Sequence, residues 1–410
     1  MKAKILIIAR AFPPISGGGV QRIVKFSIYL EQLGYDVTVC SLKNEQVSWK
    51  DETRKKELNK INIIRIATKE VSAGFINKVK RKLTFFDSYN SWAKSVIVFF
   101  KQKGKFDFDF VLTSGPPHSM HKIGLELKKE YNFFWVSDFR DHYTLGPGFH
   151  PLTRFHKRIE KKFEQKIYDF SDLIITNTEI NKREVLKSFE IRPESKIKTI
   201  YNGYDLGDLK LSEEKPDYIQ NKINLLYLGG LRGDKIDGYF YKMVKVSKNK
   251  APSICKNLRI NLVGDLSRRG DMIEKLDIVD IFKFYKSLPF DKVGNYINAS
   301  DGCLTWQNPN NAYKGTIAGK VFDYIGLKKP IFSLGQPNSE LSAIINTNKI
   351  GIHTDVNDID KAADDFILFL KNIDTFSKSY KTISKEFYNS FNRKNQVSQL
   401  NSFLMNIDGV

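Results

Sequence analysis

The sequence has little cysteine and no long hydrophobic segment. Its three cysteines, Cys40, Cys255 and Cys303, form no CxxC pair that would indicate a metal or redox site, so a reducing compartment is the simpler interpretation. No uninterrupted apolar run approaches the roughly 20 residues that a membrane-spanning helix requires. The apolar run at residues 5–9 is also shorter than the core of a signal peptide. We therefore expect a cytoplasmic protein that is soluble or attached peripherally to the inner face of the cell membrane.

Positive charge is in excess. Lys and Arg number 66 against 46 acidic residues, which gives a net charge of +20. Such a balance favours anionic partners, among them nucleotides, phospholipid head groups and nucleic acid. Nucleic acid is not expected, because no recognition helix or RNP-type pair of aromatic residues accompanies the basic residues.

Short apolar runs alternate with amphipathic helical patterns along both halves of the chain, which is typical of parallel strands joined by crossover helices. The predicted strands are residues 5–9, 36–41, 63–67, 110–114, 135–138, 173–177, 223–228, 258–263, 281–285 and 330–334. The main predicted helices are residues 19–33, 118–131, 153–170, 238–247, 319–327 and 358–370. The sequence thus predicts an α/β protein with two Rossmann-like, doubly wound domains.

The strand and helix pattern stops after Asn202-Gly203 and restarts at residue 223. We expect a first domain at residues 1–205, a linker at 206–221 and a second domain at 222–380. The helical tail at residues 381–410 is expected to cross back and pack on the first domain.

A glycine turn follows the first predicted strand of the chain. Gly17, Gly18 and Gly19 precede Arg22, in the strand, turn and helix order that lets backbone amides approach a phosphate. A flexible turn is the alternative. The spacing does not match GxGxxG, so a nicotinamide cofactor is not indicated.

The pattern recurs in the second half, where Gly229-Gly230 lead to Arg232 and Lys235. Two cations three residues apart can converge on the phosphates of a leaving nucleotide and stabilise the charge that develops there. A solvated turn remains the alternative, because Lys and Arg are abundant throughout the chain.

Further along, Lys320 and Asp323 stand one helical turn apart at the start of a predicted helix. An ammonium suits a diphosphate and a carboxylate suits sugar hydroxyls, while the N-terminus of the helix favours an anion. The alternative is a surface ion pair worth a few tenths of a kcal/mol.

Polar residues also follow two predicted strands of the first half, and we expect them at one edge of one sheet. The rigid Pro116-Pro117 presents His118 at a helix start, and Asp138, Arg140 and Asp141 come after the next strand. Asp138 and Arg140 alternate about Phe139 and can bind hydroxyls on one side, or they form a buried structural pair. The histidines complete no recognised metal-ligand spacing, so no metal is expected.

Taken in order, these residues resemble the retaining GT-B glycosyltransferases of family 4, in the bacterial branch that builds capsule, O-antigen or exopolysaccharide. The resemblance spans nearly the whole chain. Its most telling pieces are Phe12-Pro13-Pro14, Gly18-Gly19-Val20-Gln21-Arg22, Ser114-Gly115-Pro116-Pro117-His118-Ser119, Asp138-Phe139-Arg140-Asp141, Tyr201-Asn202-Gly203-Tyr204-Asp205 and residues 319–330. The implied fold is two Rossmann-like domains facing each other across a cleft.

The resemblance implies a role for each motif. Gly18, Gly19 and Arg22 bind the donor, Arg232, Lys235 and Lys320 neutralise its diphosphate, and amides around Thr316 and Ile317 approach it. Asp138, Arg140 and Asp141 belong to the catalytic region, and His118 contacts the acceptor. Asp323 is similar to the second acid of the family's E-x7-E motif, which binds the ribose. Two departures stand out: Gly315 replaces the first acid, and Arg140 replaces a histidine common in the wider family.

Two basic amphipathic segments are candidates for a membrane contact. Residues 75–86 combine an apolar stripe with lysines and suit an anionic lipid surface, although a helix packed on a sheet would look much the same. Residues 153–167 carry Phe155, Ile159, Phe163 and Ile167 at spacings of four. For this second segment we expect a core-facing stripe with a solvated basic back.

The leading hypothesis is a retaining glycosyltransferase that uses a nucleotide diphosphate sugar and a glycan or polyprenyl-linked acceptor, with no metal or other cofactor. A catalytically silent nucleotide-sugar-binding protein is one alternative, prompted by Gly315. A GT-B nucleotide-sugar epimerase is another. The base, the sugar, the linkage and the oligomeric state are not encoded in any motif that we recognise.

Overall fold

The computed structural model describes residues 2–15, 19–43, 55–68, 87, 89–212, 216–218 and 220–406. It divides the chain into two compact units, Met1–Asn202 with Arg393–Val410, and Gly203–Asn392. Each unit is built on one parallel β-sheet flanked by helices. The two sheets confirm the predicted pair of doubly wound α/β folds.

The first unit contains a seven-stranded sheet. Its strands are β1 (Lys4–Ile8), β2 (Asp36–Leu42), β3 (Asn62–Ile66), β4 (Phe110–Gly115), β5 (Phe134–Phe139), β6 (Leu173–Thr176) and β7 (Ile197–Thr199). The order across the sheet is β3-β2-β1-β4-β5-β6-β7. The order in which successive strands are added reverses between β1 and β4, and ligands of such sheets bind outside the carboxyl ends of the strands at this switch point.

The second unit contains a six-stranded sheet. Its strands are β8 (Ile223–Leu228), β9 (Leu258–Val263), β10 (Phe282–Tyr285), β11 (Gly302–Trp306), β12 (Ile331–Gly335) and β13 (Gly351–Asp355). The order β10-β9-β8-β11-β12-β13 repeats that of the first six strands of the other sheet. The corresponding switch point therefore lies between β8 and β11.

The helices alternate with the strands. Those of the first unit are α1 (Val20–Gln32), α2 (Asn90–Gln102), α3 (Ser119–Lys128), α4 (Arg154–Phe170) and α5 (Glu179–Ser188). Those of the second are α6 (Asp234–Lys250), α7 (Pro252–Lys256), α8 (Met272–Lys275), α9 (Val293–Ala299), α10 (Gly319–Gly326), α11 (Glu340–Thr347), α12 (Ile359–Lys371), α13 (Ile373–Ser379) and α14 (Lys385–Phe391). Short 3-10 turns are Lys55–Leu58, Glu194–Lys196, Val279–Ile281, Phe290–Lys292 and Asn311–Tyr313. The final helix, α15 (Arg393–Met405), belongs to the first unit.

The strands are apolar because helices cover both faces of each sheet. In β1, Ile5 and Ile7 face one buried cluster, whereas Leu6 and Ile8 face the other. Strands buried on both sides are near-continuous runs of Ile, Leu and Val, and this is the signal that the sequence carries. Among the described residues, no helix combines the length and apolar character needed to cross a bilayer.

The unit boundaries differ from the predicted ones. The predicted linker packs on the second unit, because Leu209 is buried and the amide of Ser212 donates to Asn295 Oδ1 at 2.9 Å. The predicted tail is also split, since α14 remains with the second unit. Of the predicted tail, α15 packs on α1 of the first unit, through buried residues that include Val397 and Leu400.

Candidate functional site

We call the carboxyl ends of β8 and β11, with the loops and helix starts that follow them, the second-unit edge. A glycine loop leaves β8 here, and Gly229 (φ +127°) and Gly233 (φ +88°) adopt left-handed conformations that favour glycine. The amides of Arg232 and Gly233 donate to Asp237 Oδ2 at 2.7 and 2.8 Å. Asp237 is 1% exposed in the first turn of α6. Its carboxylate thus fixes the loop from within, and these two amides are not open to a bound phosphate.

An aromatic column stands beside this loop. Tyr227 stacks on Trp306 with ring centroids 3.8 Å apart, and Trp306 stacks on Phe240 at 4.3 Å. The indole of Trp306 also donates to Asp237 Oδ1 at 2.8 Å, which ties the column to the glycine loop. The column is therefore a rigid wall of the second-unit edge.

Lys320 lies on the outer end of the aromatic column. Its Nζ is 3.1 Å from the ring centroid of Tyr227, and it has no hydrogen-bond or ion-pair partner in the part of the chain that the structure describes. Burial, followed by the nearby charge of Arg232, lowers the pKa of Lys320 well below its usual 10.5, while Asp237 opposes the shift. Lys320 and Arg232 thus act on one another at the same edge, and a bound polyanion would relieve their repulsion.

The other predicted residues of this unit occupy varied positions. Arg232 and Lys235 are exposed, and Lys235 lies in the first turn of α6. Asp323 is half-buried one turn after Lys320 in α10. The predicted alternative of a Lys320–Asp323 surface ion pair is not what the structure shows, because the ammonium of Lys320 lies on the Tyr227 ring.

The backbone around Thr316 and Ile317 does not present all of its amides to a ligand. The amide of Thr316 donates to the Tyr313 carbonyl at 2.9 Å, and Ile317 is buried. Helix α10 then begins at Gly319 without a side-chain cap. In the first turn of α10 the amide of Val321 already donates to the Ala318 carbonyl at 3.0 Å, so the amides of Gly319 and Lys320 are the better placed donors for an anion.

We call the carboxyl ends of β4 and β5, with the start of α1, the first-unit edge. Here Arg22 is 1% exposed and Asp138 is fully buried. Arg22 Nη2 and Nε donate to the two carboxylate oxygens of Asp138 at 2.8 and 3.1 Å, and Nη1 donates to the Tyr201 carbonyl at 2.7 Å. Ser114 Oγ donates to Asp138 Oδ2 at 2.7 Å. This closed pair argues against direct ligand contact by Arg22 or Asp138 in this conformation, and the predicted Asp138–Arg140 pair is replaced by one with Arg22.

Arg140 is the half-exposed cation of the first-unit edge. Its Nε donates to the Gly115 carbonyl at 3.2 Å and its Nη2 donates to the Pro116 carbonyl. The guanidinium lies against Gly19, where an added Cβ atom would approach Nη1 to 1.7 Å. The neighbouring Asp141 is exposed. Arg140 and Asp141 therefore remain able to meet a ligand, whereas Gly17 and Gly18 lie outside the described residues.

His118 is buried rather than presented to solvent. Its ring stacks on Tyr143 at 4.9 Å, and the neighbouring His121 stacks on Phe139 at 4.1 Å. Burial lowers the pKa of His118 to about 3, so the ring is neutral at physiological pH. Its predicted contact with the acceptor stays a prediction. No group of three or more possible metal ligands is found among the described residues.

The basic segments differ from expectation. Residues 75–86 lie outside the described residues. In α4 the predicted core-facing stripe is wrong at its first member, because Phe155 is 72% exposed, and only Ile167 is fully buried. The inward positions are taken instead by Glu160 and Glu164, which hydrogen-bond to Tyr143 and Thr144.

Comparison with known proteins finds a protein family that matches part of the chain. Residues 16–208 match the family described as Glycosyltransferase Family 4. No curated protein matches the chain.

Solved structures that match nearly the whole chain include the following three. A glycosyltransferase from Rickettsia africae ESF-5 is 17% identical, covers 100% of both chains and has a TM-score of 0.68. Anabaena Alr3699/HepE, solved in complex with UDP, is 13% identical over 99% of this chain and 100% of that one, with a TM-score of 0.65. WaaG, a glycosyltransferase involved in lipopolysaccharide biosynthesis, is 13% identical with the same coverage and a TM-score of 0.63. At these identities the matches show the fold.

The whole chain therefore has the GT-B fold of two Rossmann-like domains, and its residues 16–208 match a glycosyltransferase family. More particularly, the family that residues 16–208 match is Glycosyltransferase Family 4, which supports that part of the resemblance read from the sequence.

Proposed function

We propose that the protein is a retaining glycosyltransferase that moves a sugar from a nucleotide diphosphate sugar to a glycan on a polyprenyl carrier, at the inner membrane face, during synthesis of a cell-surface polysaccharide. The observation that carries the proposal is Lys320, an ammonium without an acidic partner in the described residues, set at the switch point of the second sheet. The UDP complex of HepE supports the donor class, and the involvement of WaaG in lipopolysaccharide biosynthesis supports the pathway class.

The donor is bound at the second-unit edge. Lys320 and Arg232 neutralise the diphosphate, and the first-turn amides of α10 add partial positive charge. Lys235 extends the cationic surface, and Asp323 accepts hydrogen bonds from the ribose hydroxyls.

The transfer step breaks the bond between the anomeric carbon and the diphosphate oxygen. An acceptor hydroxyl oxygen bonds to the same carbon on the same face, and its proton passes to the departing phosphate oxygen. Lys320 and Arg232 stabilise the negative charge that develops on the diphosphate, which lowers the barrier more than it strengthens ground-state binding. At the first-unit edge, Arg140 and Asp141 orient the acceptor hydroxyls, and no metal is required by this scheme.

The decisive variant is Lys320→Ala, with Lys371→Ala on the exposed last turn of α12 as the matched control. Donor binding is measured as the rise in melting temperature on addition of UDP-, GDP- and dTDP-sugars, since a ligand of the folded state raises it. Transfer is measured as nucleotide release with a membrane lipid extract as the acceptor source. We expect Lys320→Ala to lose the melting shift and to lower turnover by about a hundredfold or more, the range reported for one transition-state donor. Lys371→Ala should behave as wild type.

The same assay separates the alternatives. A silent binding protein would show a donor-induced melting shift with no nucleotide release in any extract. An epimerase would change the sugar of the donor without releasing the nucleotide. Wild-type transfer by Lys320→Ala would contradict the proposed mechanism directly.

A further inference from the structure

Helix α4 has an unusual distribution of side chains. Its acidic residues Glu160 and Glu164 are 2% and 0% exposed, whereas Phe155 is 72% exposed and Leu152, just before the helix, is 49% exposed. Thr153 caps the helix by accepting a hydrogen bond from the His156 amide, so this orientation is set from the first turn. The helix is thus turned with its carboxylates inward and an apolar side chain outward.

The carboxylates are held inward by specific partners. Tyr143 and His156 hydrogen-bond to Glu160. Glu164 accepts from the Thr144 amide at 3.1 Å and from Tyr168 Oη at 2.8 Å. Since these negative charges are engaged in the interior, they do not balance the cations on the outer face.

The outer face carries a dense set of cations. The cationic side chains in the N-terminal half of α4 are Arg154, Lys157, Arg158, Lys161 and Lys162. In the part of the chain that the structure describes, none of them forms an ion pair, and together they line a groove of about 480 Å³ beside Phe189. Like charges three and four residues apart on a helix repel each other, so this arrangement is costly unless an anionic partner covers it.

We infer that this face, which we call the α4 docking face (Leu152, Arg154, Phe155, Lys157, Arg158 and Lys161), binds the surface of an anionic lipid bilayer. Phe155 and Arg158 are neighbours one turn apart, so the ring enters the interface at the level where the cations meet the head groups. Charge complementarity selects an anionic partner, and the exposed Phe155 and Leu152 select a lipid surface over a soluble polyanion.

This inference rests on the membrane-carried acceptor proposed above, but it is tested without donor or acceptor. Flotation compares vesicles of phosphatidylcholine alone with vesicles that also contain about one-third phosphatidylglycerol. The test variant is Lys157→Gln with Arg158→Gln. The matched control is Lys242→Gln with Lys371→Gln, two exposed lysines on α6 and α12 of the second unit that leave the same net charge.

Wild-type protein should float with the anionic vesicles and not with the neutral ones. Each cation near such a surface strengthens binding about fivefold, so the α4 double variant should bind at least about tenfold more weakly. The control double variant should lose much less of its affinity for the anionic vesicles. Equal losses in the two double variants would show non-specific attraction by the net charge and would overturn the inference, as would equal binding to neutral vesicles.

Phe155→Ser separates a lipid surface from a soluble polyanion. It should weaken vesicle binding several-fold and leave binding of inorganic tripolyphosphate unchanged. If Phe155→Ser binds vesicles as wild type does, the docking face recognises phosphate charge alone and the inference is wrong. A UDP-induced melting shift, measured on every variant, reports that the fold is intact. It also distinguishes failure of docking from failure of the proposed donor site.

Discussion

The two sheets share one strand order but treat charge at their carboxyl edges in opposite ways. At the first-unit edge, Arg22 and Asp138 are buried and bound to one another, with 2.8 Å between Arg22 Nη2 and Asp138 Oδ1. At the second-unit edge, the ammonium of Lys320 lies on an aromatic ring with no carboxylate partner among the described residues. The carboxyl edges of two similar sheets thus carry an arginine paired with a carboxylate in one unit and a lysine without a carboxylate partner among the described residues in the other.

The difference separates structural charge from ligand-binding charge. A buried pair with both carboxylate oxygens engaged holds α1 against β5 and offers nothing to a ligand. A cation whose pKa is lowered by burial and by Arg232 gains from any anion that arrives. A charged residue after a strand therefore indicates a ligand only when no partner of opposite sign is packed against it.

Asp138→Ala removes the buried carboxylate that pairs with Arg22 at the first-unit edge. Of the predicted effects, we expect its loss of stability to be the largest. It leaves the Arg22 guanidinium buried without its carboxylate, which costs about 3–5 kcal/mol of the free energy of unfolding. Urea unfolding followed by circular dichroism measures the loss. Lys320→Ala is the comparison from the other edge and should keep or slightly raise the wild-type stability, because it removes an unpaired, half-buried cation. A destabilisation of similar size in both variants would contradict the contrast.

Much of the fold is encoded in local sequence. The predicted strands lie within two residues of observed ones, because strands covered on both faces must be continuous apolar runs. The strands β7, β11 and β13 were not predicted. Each is five residues or fewer and includes polar or glycine positions, as in Gly302-Cys303-Leu304-Thr305-Trp306 of β11. Such short runs become strands only because neighbouring strands pair with them.

The candidate site was predicted where the signal is local and missed where it depends on packing. The pattern of glycines between a predicted strand and a predicted helix indicated Arg232 as a candidate. The position of Lys320 at the start of a predicted helix indicated that residue. No local pattern shows that Arg22 pairs with Asp138, 116 positions away along the chain. The column of Tyr227, Trp306 and Phe240 joins three separate elements and was missed for the same reason.

Gly19→Ala should disturb Arg140, which is half-exposed at the first-unit edge. The new Cβ atom would stand 1.7 Å from Arg140 Nη1, so the guanidinium must move away from the start of α1. Because the clash meets the end of a flexible side chain, we expect a stability loss below about 1 kcal/mol. Turnover should fall about tenfold to a hundredfold, since a misplacement of about 1 Å can cost that much.

The matched control is Gly148→Ala, because an added Cβ atom meets nothing within 4 Å there. The kcat of sugar transfer for the two variants is the measurement. If Gly19→Ala turns over like Gly148→Ala, Arg140 does not act on the acceptor, and the first-unit edge is structural throughout.

The smallest expected effect is the pH dependence of donor binding. The diphosphate favours the charged form of Lys320, whose pKa in the unliganded protein is lowered well below 10.5. UDP affinity should therefore fall severalfold as pH rises above neutrality toward 10.5, by at most about tenfold per pH unit. The unliganded protein should gain stability over the same interval, because the unfolded chain binds the proton that folded Lys320 releases. Isothermal titration of UDP into wild type and into Lys320→Arg tests the predicted change in UDP affinity. The guanidinium of the variant stays charged, so the UDP affinity of the variant should not change with pH. If the wild-type UDP affinity were equally independent of pH, Lys320 would not contact the diphosphate. The charge at the second-unit edge would then be structural, as it is for Arg22 and Asp138 at the first-unit edge.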